Sequence, residues 1–248
     1  MWEDVLLYIA VGFVAQMVDG AIGMAYGVTS SSVLLSFGIP PATASACVHA
    51  AETFTTAASG ASHWKLGNID KALVRRLAIP GVIGGITGAY ILSNIDGSVI
   101  KPYISAYLLL MGLFILWKAF RTDVGNSDPP GNVIPLGLIG GFMDSIGGGG
   151  WGPIVTTSLI GQGTTPRYAI GSVNLAEFFV TAAISGTFFL TIGLELWPII
   201  AGLIIGGVVA APFAAVATKH LPDKTLMIIV GCVVVLLSLR SLLVAVHL

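Results

Sequence analysis

Two carboxylic acids, Glu52 and Glu177, stand inside long apolar stretches, each 11 residues beyond a proline, Pro41 and Pro166. If each proline opens a helix, a rise of 1.5 Å per residue carries either carboxyl about 16 Å along it, near the midplane of a bilayer. Ionisable groups at that depth are costly, so they face a partner or a cavity and mark paths for ions or substrates. His49 lies three residues before Glu52 and Asn174 three before Glu177, which puts each pair on one helix face, and Thr56 and Thr181 follow four residues later. The chemistry open to such a set is proton exchange, oxygen coordination of a cation such as sodium, or a hydrogen-bonded clasp that never changes protonation.

A second acid pair, Asp19 and Asp144, heads two glycine-rich interruptions. The first runs from Asp19 through Gly20, Gly23 and Gly27 to Thr29, Ser30, Ser31 and Ser32; the other runs from Asp144 through Gly148, Gly149, Gly150, Trp151 and Gly152 to Thr156 and Thr157. Glycine lets a backbone turn and approach a ligand closely, and the helix that follows presents unpaired N–H groups and a positive dipole end. Such breaks suit an anion. The same glycines also serve close helix packing, and a short acid at a break can cap the next helix. For the pairs Gly81 with Gly85, Gly84 with Gly88 and Gly202 with Gly206, packing is the favoured reading. Gly147, Gly149 and Gly152 match a dinucleotide pattern, but no strand precedes them and no Walker lysine follows, so a nucleotide is not expected.

The elements that must hold these residues are membrane helices. Apolar residues make up 55% of 248 positions and charged residues 9%, against roughly a quarter charged in soluble domains. Apolar stretches recur at 9–18, 42–62, 77–92, 103–120, 168–192, 197–218 and 226–246. Several reach the roughly 20 residues that span hydrocarbon, and none shows the short alternation of a barrel strand, so the fold class is all-α, a polytopic integral membrane protein. The first residues, Met1 to Asp4, lack the basic region of a signal peptide, so no cleavage is expected. Cys47 and Cys232 read as buried thiols, not as a disulfide framework or zinc site. A formal charge of -1 with scattered Lys and Arg provides no basic patch for nucleic acid. No cofactor or resident metal is expected.

A shift of 125 residues superimposes the two halves: Asp19 falls on Asp144, Gly23 on Gly148, Gly27 on Gly152, Pro41 on Pro166, Glu52 on Glu177 and Thr56 on Thr181. Residues 1–121 form repeat one and 132–248 repeat two, with the polar, proline-containing run 122–131 as linker. Each repeat reads as a glycine-rich broken helix or re-entrant hairpin plus three longer spans. Whether the short pieces cross or re-enter, the number of crossings per repeat is odd, so the repeats are inverted. Under that count Lys65, Lys71, Arg75, Arg76, Lys118, Arg121, Arg167, Lys219 and Lys224 share one side and Lys101 and Arg240 the other. The positive-inside rule then puts both termini outside the cytoplasm. Inverted repeats with interrupted helices are the build of secondary transporters, whose site lies where the half-helices end.

The two breaks, each followed by a proline-started span with a buried Glu, give the chain a resemblance to the sulfite exporter TauE/SafE family along essentially its whole length. That resemblance implies a duplicated inner-membrane protein that moves sulfite, an organosulfonate or another small anion. It places substrate at the two breaks, against backbone N–H groups and the hydroxyls of Thr29, Ser30, Ser31, Thr156 and Thr157. Asn174 and Trp151 join the substrate set, and Asp19, His49, Glu52, Asp144 and Glu177 form the coupling set. No Arg lies in either break, so a bidentate clamp on the anion is not evident. An uncoupled anion channel is the alternative. An intramembrane enzyme lacks a nucleophile with its base, and a pure scaffold has no need of midplane acids.

Overall fold

The computed structural model describes residues 5–22, 24–121, 131–194, 196–217 and 223–246, and among them every regular element is helical. The order is α1 (Val5–Ile22), α2 (Tyr26–Ser36), α3 (Pro41–Lys65), α4 (Lys71–Ser93), α5 (Gly97–Ala119), α6 (Ile134–Gly147), a π-helical turn (Gly152–Thr156) leading into α7 (Thr157–Gly161), α8 (Pro166–Thr191), α9 (Trp197–Ala217) and α10 (Asp223–Val246). Gly23 and residues 122–130, which hold most of the expected linker, lie outside the described residues.

Local chemistry sets the boundaries. α3 and α8 begin at Pro41 and Pro166, where the missing N–H of proline costs nothing. Asp70 opens α4 by accepting from the amides of Ala72 at 2.8 Å and Leu73 at 3.2 Å, and Asp96 opens α5 through the amide of Ser98 at 2.8 Å. Hydrogen bonds from the Ser98 hydroxyl and amide hold the exposed Asp96 carboxyl below its usual pKa. α6 stops at Gly148, whose φ of 66° is left-handed and suits glycine alone. At the matching break before α2, Ala25 is left-handed among the described residues, with φ 105°.

Among the described residues, four helices are long and apolar enough to cross a membrane: Lys71–Ser93, Gly97–Ala119, Tyr168–Thr191 and Met227–Val244. Large apolar side chains such as Leu110, Leu190 and Leu236 point outward from them, an arrangement that water would penalise and hydrocarbon accommodates. α3 is as long but less apolar, because it lies inside the bundle against α8 and α9 and buries Ser45, His49, Glu52, Thr55 and Thr56. Cys232 is exposed on α10, contrary to the buried thiol expected from its apolar surroundings; Cys47 is buried. An apolar stretch in a membrane helix has two apolar environments, lipid and core, and composition does not separate them.

Packing exchanges partners between the halves. α1 lies along α9 as α6 lies along α4; α3 pairs with α8 and α5 with α10. Glycines at positions related by the 125-residue shift make these contacts: a Cβ at Gly12 would press on the backbone of Leu203, and one at Gly137 on the backbone of Leu77. The glycine pairs assigned to packing do pack, Gly81 on the Trp151 ring, Gly84 on the Leu138 carbonyl, Gly85 on Ile184, Gly88 on Phe142 and Ser145, Gly202 on Tyr8, and Gly206 on the Ile9 carbonyl. Small residues let helices meet backbone to backbone where lipid supplies no hydrophobic drive.

Gly206→Val is expected to lower the unfolding temperature in detergent, with a cost of at least about 1–3 kcal/mol from overpacking. Gly186→Ala, at a position with nothing within 4 Å of a Cβ, is the neutral control; equal melting of the two variants would contradict the packing assignment. Ala25→Gly is expected to raise the unfolding temperature by relieving a left-handed backbone that costs about 1–3 kcal/mol, and a fall would show that the Ala25 methyl contributes more than the strain removes.

Candidate functional site

The two breaks meet each other. A Cβ on Gly27 would lie 2.7 Å from the Cα of Gly149 and 3.0 Å from a carboxylate oxygen of Glu52, and one on Gly149 would overlap the backbone of Gly27 and Val28. Close approach of two main chains therefore requires glycine on both sides. Ser31 Oγ donates to the carbonyl of Gly148, joining first break to second. The Tyr107 hydroxyl donates to the carbonyl of Gly149 at 3.1 Å.

At this crossing is a small cavity of about 10 Å³, room for roughly one water, lined by Ala25, Tyr26, Gly27, Val28, Gly149, Gly150, Gly152 and Pro153 together with all four acids, Asp19, Glu52, Asp144 and Glu177. Four carboxyl groups far apart in sequence thus share one space. α1 and α6 supply the aspartates and α3 and α8 the glutamates, one of each from either half.

The aspartates do the same job in both halves. Asp19 Oδ1 accepts from the amide of Tyr26 at 3.3 Å, and Asp144 Oδ1 accepts from the amide of Trp151 at 3.0 Å. Each acid reaches seven residues forward across its break and satisfies one of the amides a helix start leaves unpaired. The capping role weighed for these aspartates is therefore present, and two amides offered to an anion already have a carboxyl partner.

The glutamates are less satisfied. Glu52 is 3% exposed, and its Oε2 has no hydrogen-bond partner among the described residues; a buried acceptor left open is expensive unless something fills the place. Glu177 is also buried. Thr56 and Thr181 turn their hydroxyls back on their own helices, onto the carbonyls of Glu52 at 2.6 Å and Glu177 at 2.9 Å.

His49 links the halves. Its Nε2 is 3.2 Å from Asp144 Oδ2, and both side chains are buried. Its Nδ1 is 2.8 Å from the carbonyl oxygen of Ser45 and 3.2 Å from Ser45 Oγ, while that hydroxyl donates to the carbonyl of Ser145 at 2.6 Å. His49, Glu52 and Asp144 each present one ligand atom within 4.8 Å of the others, a spacing that a cation could use.

Other expected site residues are distributed around this centre. Gly20 lies in the last turns of α1. Thr29 and Ser30 bury hydroxyls that lack a partner among the described residues. Thr156 is fully buried in the π-helical turn. Thr157 accepts from the ammonium of Lys118 at 2.9 Å. The Asn174 amide donates to the carbonyl of Ile170 at 2.9 Å. Trp151 directs its indole N–H to the carbonyl of Val173 at 3.3 Å and its ring onto Gly81, away from the cavity lining, whereas Tyr26 lines the cavity and donates to the carbonyl of Leu203 at 3.1 Å. Sequence reading passed over Ser45, Tyr107 and Ala25. Ser45 had one visible signal, its place one helical turn before His49; the others had none, since the 125-residue shift maps Tyr107 onto Cys232 and Ala25 onto Gly150.

A family model described as "Sulfite exporter TauE/SafE" matches residues 8–241. A relative from Bacillus subtilis (strain 168), the probable membrane transporter protein YtnM, is 43% identical over 97% of this chain and 83% of its own length. A second from the same organism, the probable membrane transporter protein YdhB, is 24% identical over 89% of this chain and 93% of its own. The probable membrane transporter protein ORF9 of Sinorhizobium sp is 24% identical over 75% of this chain and 67% of its own. No solved structure matches. With its helical breaks, its paired acids and a family match over nearly the whole length, the chain belongs to the sulfite exporter TauE/SafE family of membrane transporters.

Proposed function

We propose that the chain is a secondary transporter that exports sulfite or a related small sulfur-containing or organic anion across the cytoplasmic membrane by alternating access. The observation that carries this reading is the single cavity in which both glycine-rich breaks and all four acids converge. A site at the crossing of two halves is where alternating access needs it, since rocking one half against the other opens it to one side at a time.

In this account the anion takes the N-terminal ends of α2 and the π-helical turn, against first-turn amides and the hydroxyls of Thr29, Ser30 and Thr156, whereas Ser31 spends its hydrogen on the Gly148 carbonyl and Thr157 is held by Lys118. Sulfite is small and rich in acceptor oxygens, which suits that cradle. Four ionised carboxylates would repel such a guest, so the acids carry the coupling ion, a proton or sodium, and their charge is neutralised as the anion moves.

Residues 1–121 and 132–248 act as the inverted halves, with both termini outside the cytoplasm and the Lys- and Arg-rich ends of α3, α4 and α5 inside. The exchange of helix partners, α1 with α9 and α6 with α4, supports a two-fold relation between them. Single cysteines placed at the two termini of a chain lacking Cys47 and Cys232 are expected to react with a membrane-impermeant thiol reagent added to whole cells. Protection of both until the membrane is opened would reverse the orientation.

The transport experiment uses purified protein in liposomes, with sulfite flux measured under imposed pH and sodium gradients and with sulfoacetate, thiosulfate, sulfate and acetate as competitors. Saturable sulfite flux that responds to one gradient, and that Glu52→Gln or Glu177→Gln lowers at least about tenfold, a loss near 1.4 kcal/mol of barrier, is expected. Flux that is indifferent to both gradients and to both substitutions would leave an uncoupled channel. Movement of another anion without sulfite would overturn the substrate.

A further inference from the structure

We propose that the coupling ion is a proton and that it resides at the contact between His49 of the first half and Asp144 of the second. Two atoms face His49 Nδ1: the Ser45 carbonyl oxygen, which only accepts, and Ser45 Oγ, whose own hydrogen goes to the Ser145 carbonyl. Both are acceptors, so Nδ1 carries a hydrogen. A neutral imidazole then has a bare lone pair on Nε2, and that lone pair faces Asp144 Oδ2 at 3.2 Å.

An ionised carboxylate is also an acceptor, and two acceptors do not rest at that distance in a buried site. One more proton must lie between them, on the imidazole or on the carboxyl. Either position yields one good hydrogen bond across the halves, and loss of that proton leaves two buried lone pairs opposed, which drives the contact apart.

The partners favour a proton over sodium. Sodium is a hard ion that selects oxygen ligands, and an imidazole nitrogen is a poor one. A transition ion would accept the nitrogen, and the 3.2 Å spacing also suits two ligands of one ion, so the metal content measured below separates it from the proton. The neighbours make a mobile positive charge welcome: Asp19 on α1, Tyr26 on α2, Glu52 on α3 and Glu177 on α8 line the same cavity as Asp144, and Tyr107 on α5 touches Gly149 beside it. The open Oε2 of Glu52 gives a released proton an acceptor within the cluster.

The site breaks the symmetry of the repeats. The 125-residue shift carries His49 onto Asn174, whose amide cannot titrate and bonds its own helix. Among the described residues there is therefore one histidine-based proton site between the halves where a duplicated design offers room for two, and one proton per anion is the stoichiometry expected.

This inference rests on the transport reading, and two measurements keep their failures apart. In the first, nitrogen-15 NMR of histidine-labelled protein identifies His49 by its disappearance in His49→Gln among His63, His220 and His247. A protonated Nδ1 is expected, and an Nδ1 without hydrogen overturns the assignment whether or not sulfite is the substrate. A divalent ion that co-purifies, resists dialysis and is lost in His49→Gln overturns it too.

In the second, sulfite-loaded liposomes are given a pH gradient. Wild-type protein at one proton per anion is expected to shift the accumulation ratio by about tenfold per pH unit. His49→Gln, which keeps a donor toward Asp144, is expected to lose that pH drive while still exchanging labelled for unlabelled sulfite. A variant that remains fully driven by the pH gradient overturns the proposal. Absence of sulfite flux in the wild type, with Nδ1 protonated, sinks the substrate and leaves the proton site standing.

Discussion

Burial of several carboxyl groups in one small space, inside a protein flanked by hydrocarbon, is the condition that the rest of this structure has to satisfy. Oxygens of Glu52 and Asp144 lie within 4.8 Å of each other, and two full charges at that distance repel by about 3.5 kcal/mol even at an effective dielectric near 20. The fold answers with donors. Amides of the two breaks face Asp19 and Asp144, and an imidazole faces Asp144 on its other oxygen. The oxygen of Glu52 left without a partner shows where that supply ends and where a moving ion would be most strongly felt.

Those donors come from the opposite half or from across a broken helix, which explains why the helices are interrupted at all. A continuous helix would spend its amides on its own carbonyls and bring none to the centre. Breaking α1 from α2 and α6 from the π-helical turn frees amides at the crossing of the two halves, and glycine at Gly27 and Gly149 lets the two breaks touch. Backbone exposed in this way is tolerated in a membrane where protein or a lined cavity surrounds it. The outer helices provide that enclosure, with glycines such as Gly12, Gly137 and Gly206 drawing them close.

Much of this was legible in the sequence because its constraints are local or repeated. Pro41 and Pro166 open α3 and α8 as spacing from the glutamates required, and the 125-residue shift picked out the four acids that line the cavity. Less legible was anything set by a contact between the halves. Trp151 read as a member of the substrate set, yet its ring fills the notch at Gly81, and its backbone amide is what serves Asp144. Cys232 read as buried because apolar neighbours look alike toward lipid and toward core. Ser45 escaped notice because its role, fixing the hydrogen on His49, depends on the Ser145 carbonyl from the other repeat.

The most direct test of the central claim, a site between two halves that opens to one side at a time, is paired accessibility. Ser32 and Thr157 occupy equivalent places, related by the 125-residue shift, one helical turn or more beyond the cavity; Ser32 faces Ser238 of α10 and Thr157 faces Lys118 of α5. Each would be changed to cysteine in a chain without Cys47 and Cys232, and labelling by an impermeant thiol reagent measured from both sides, with and without saturating sulfite. The account predicts that the two positions label from opposite faces and that sulfite changes their rates in opposite directions. Rates that rise or fall together, or labelling of both from one face, would contradict it.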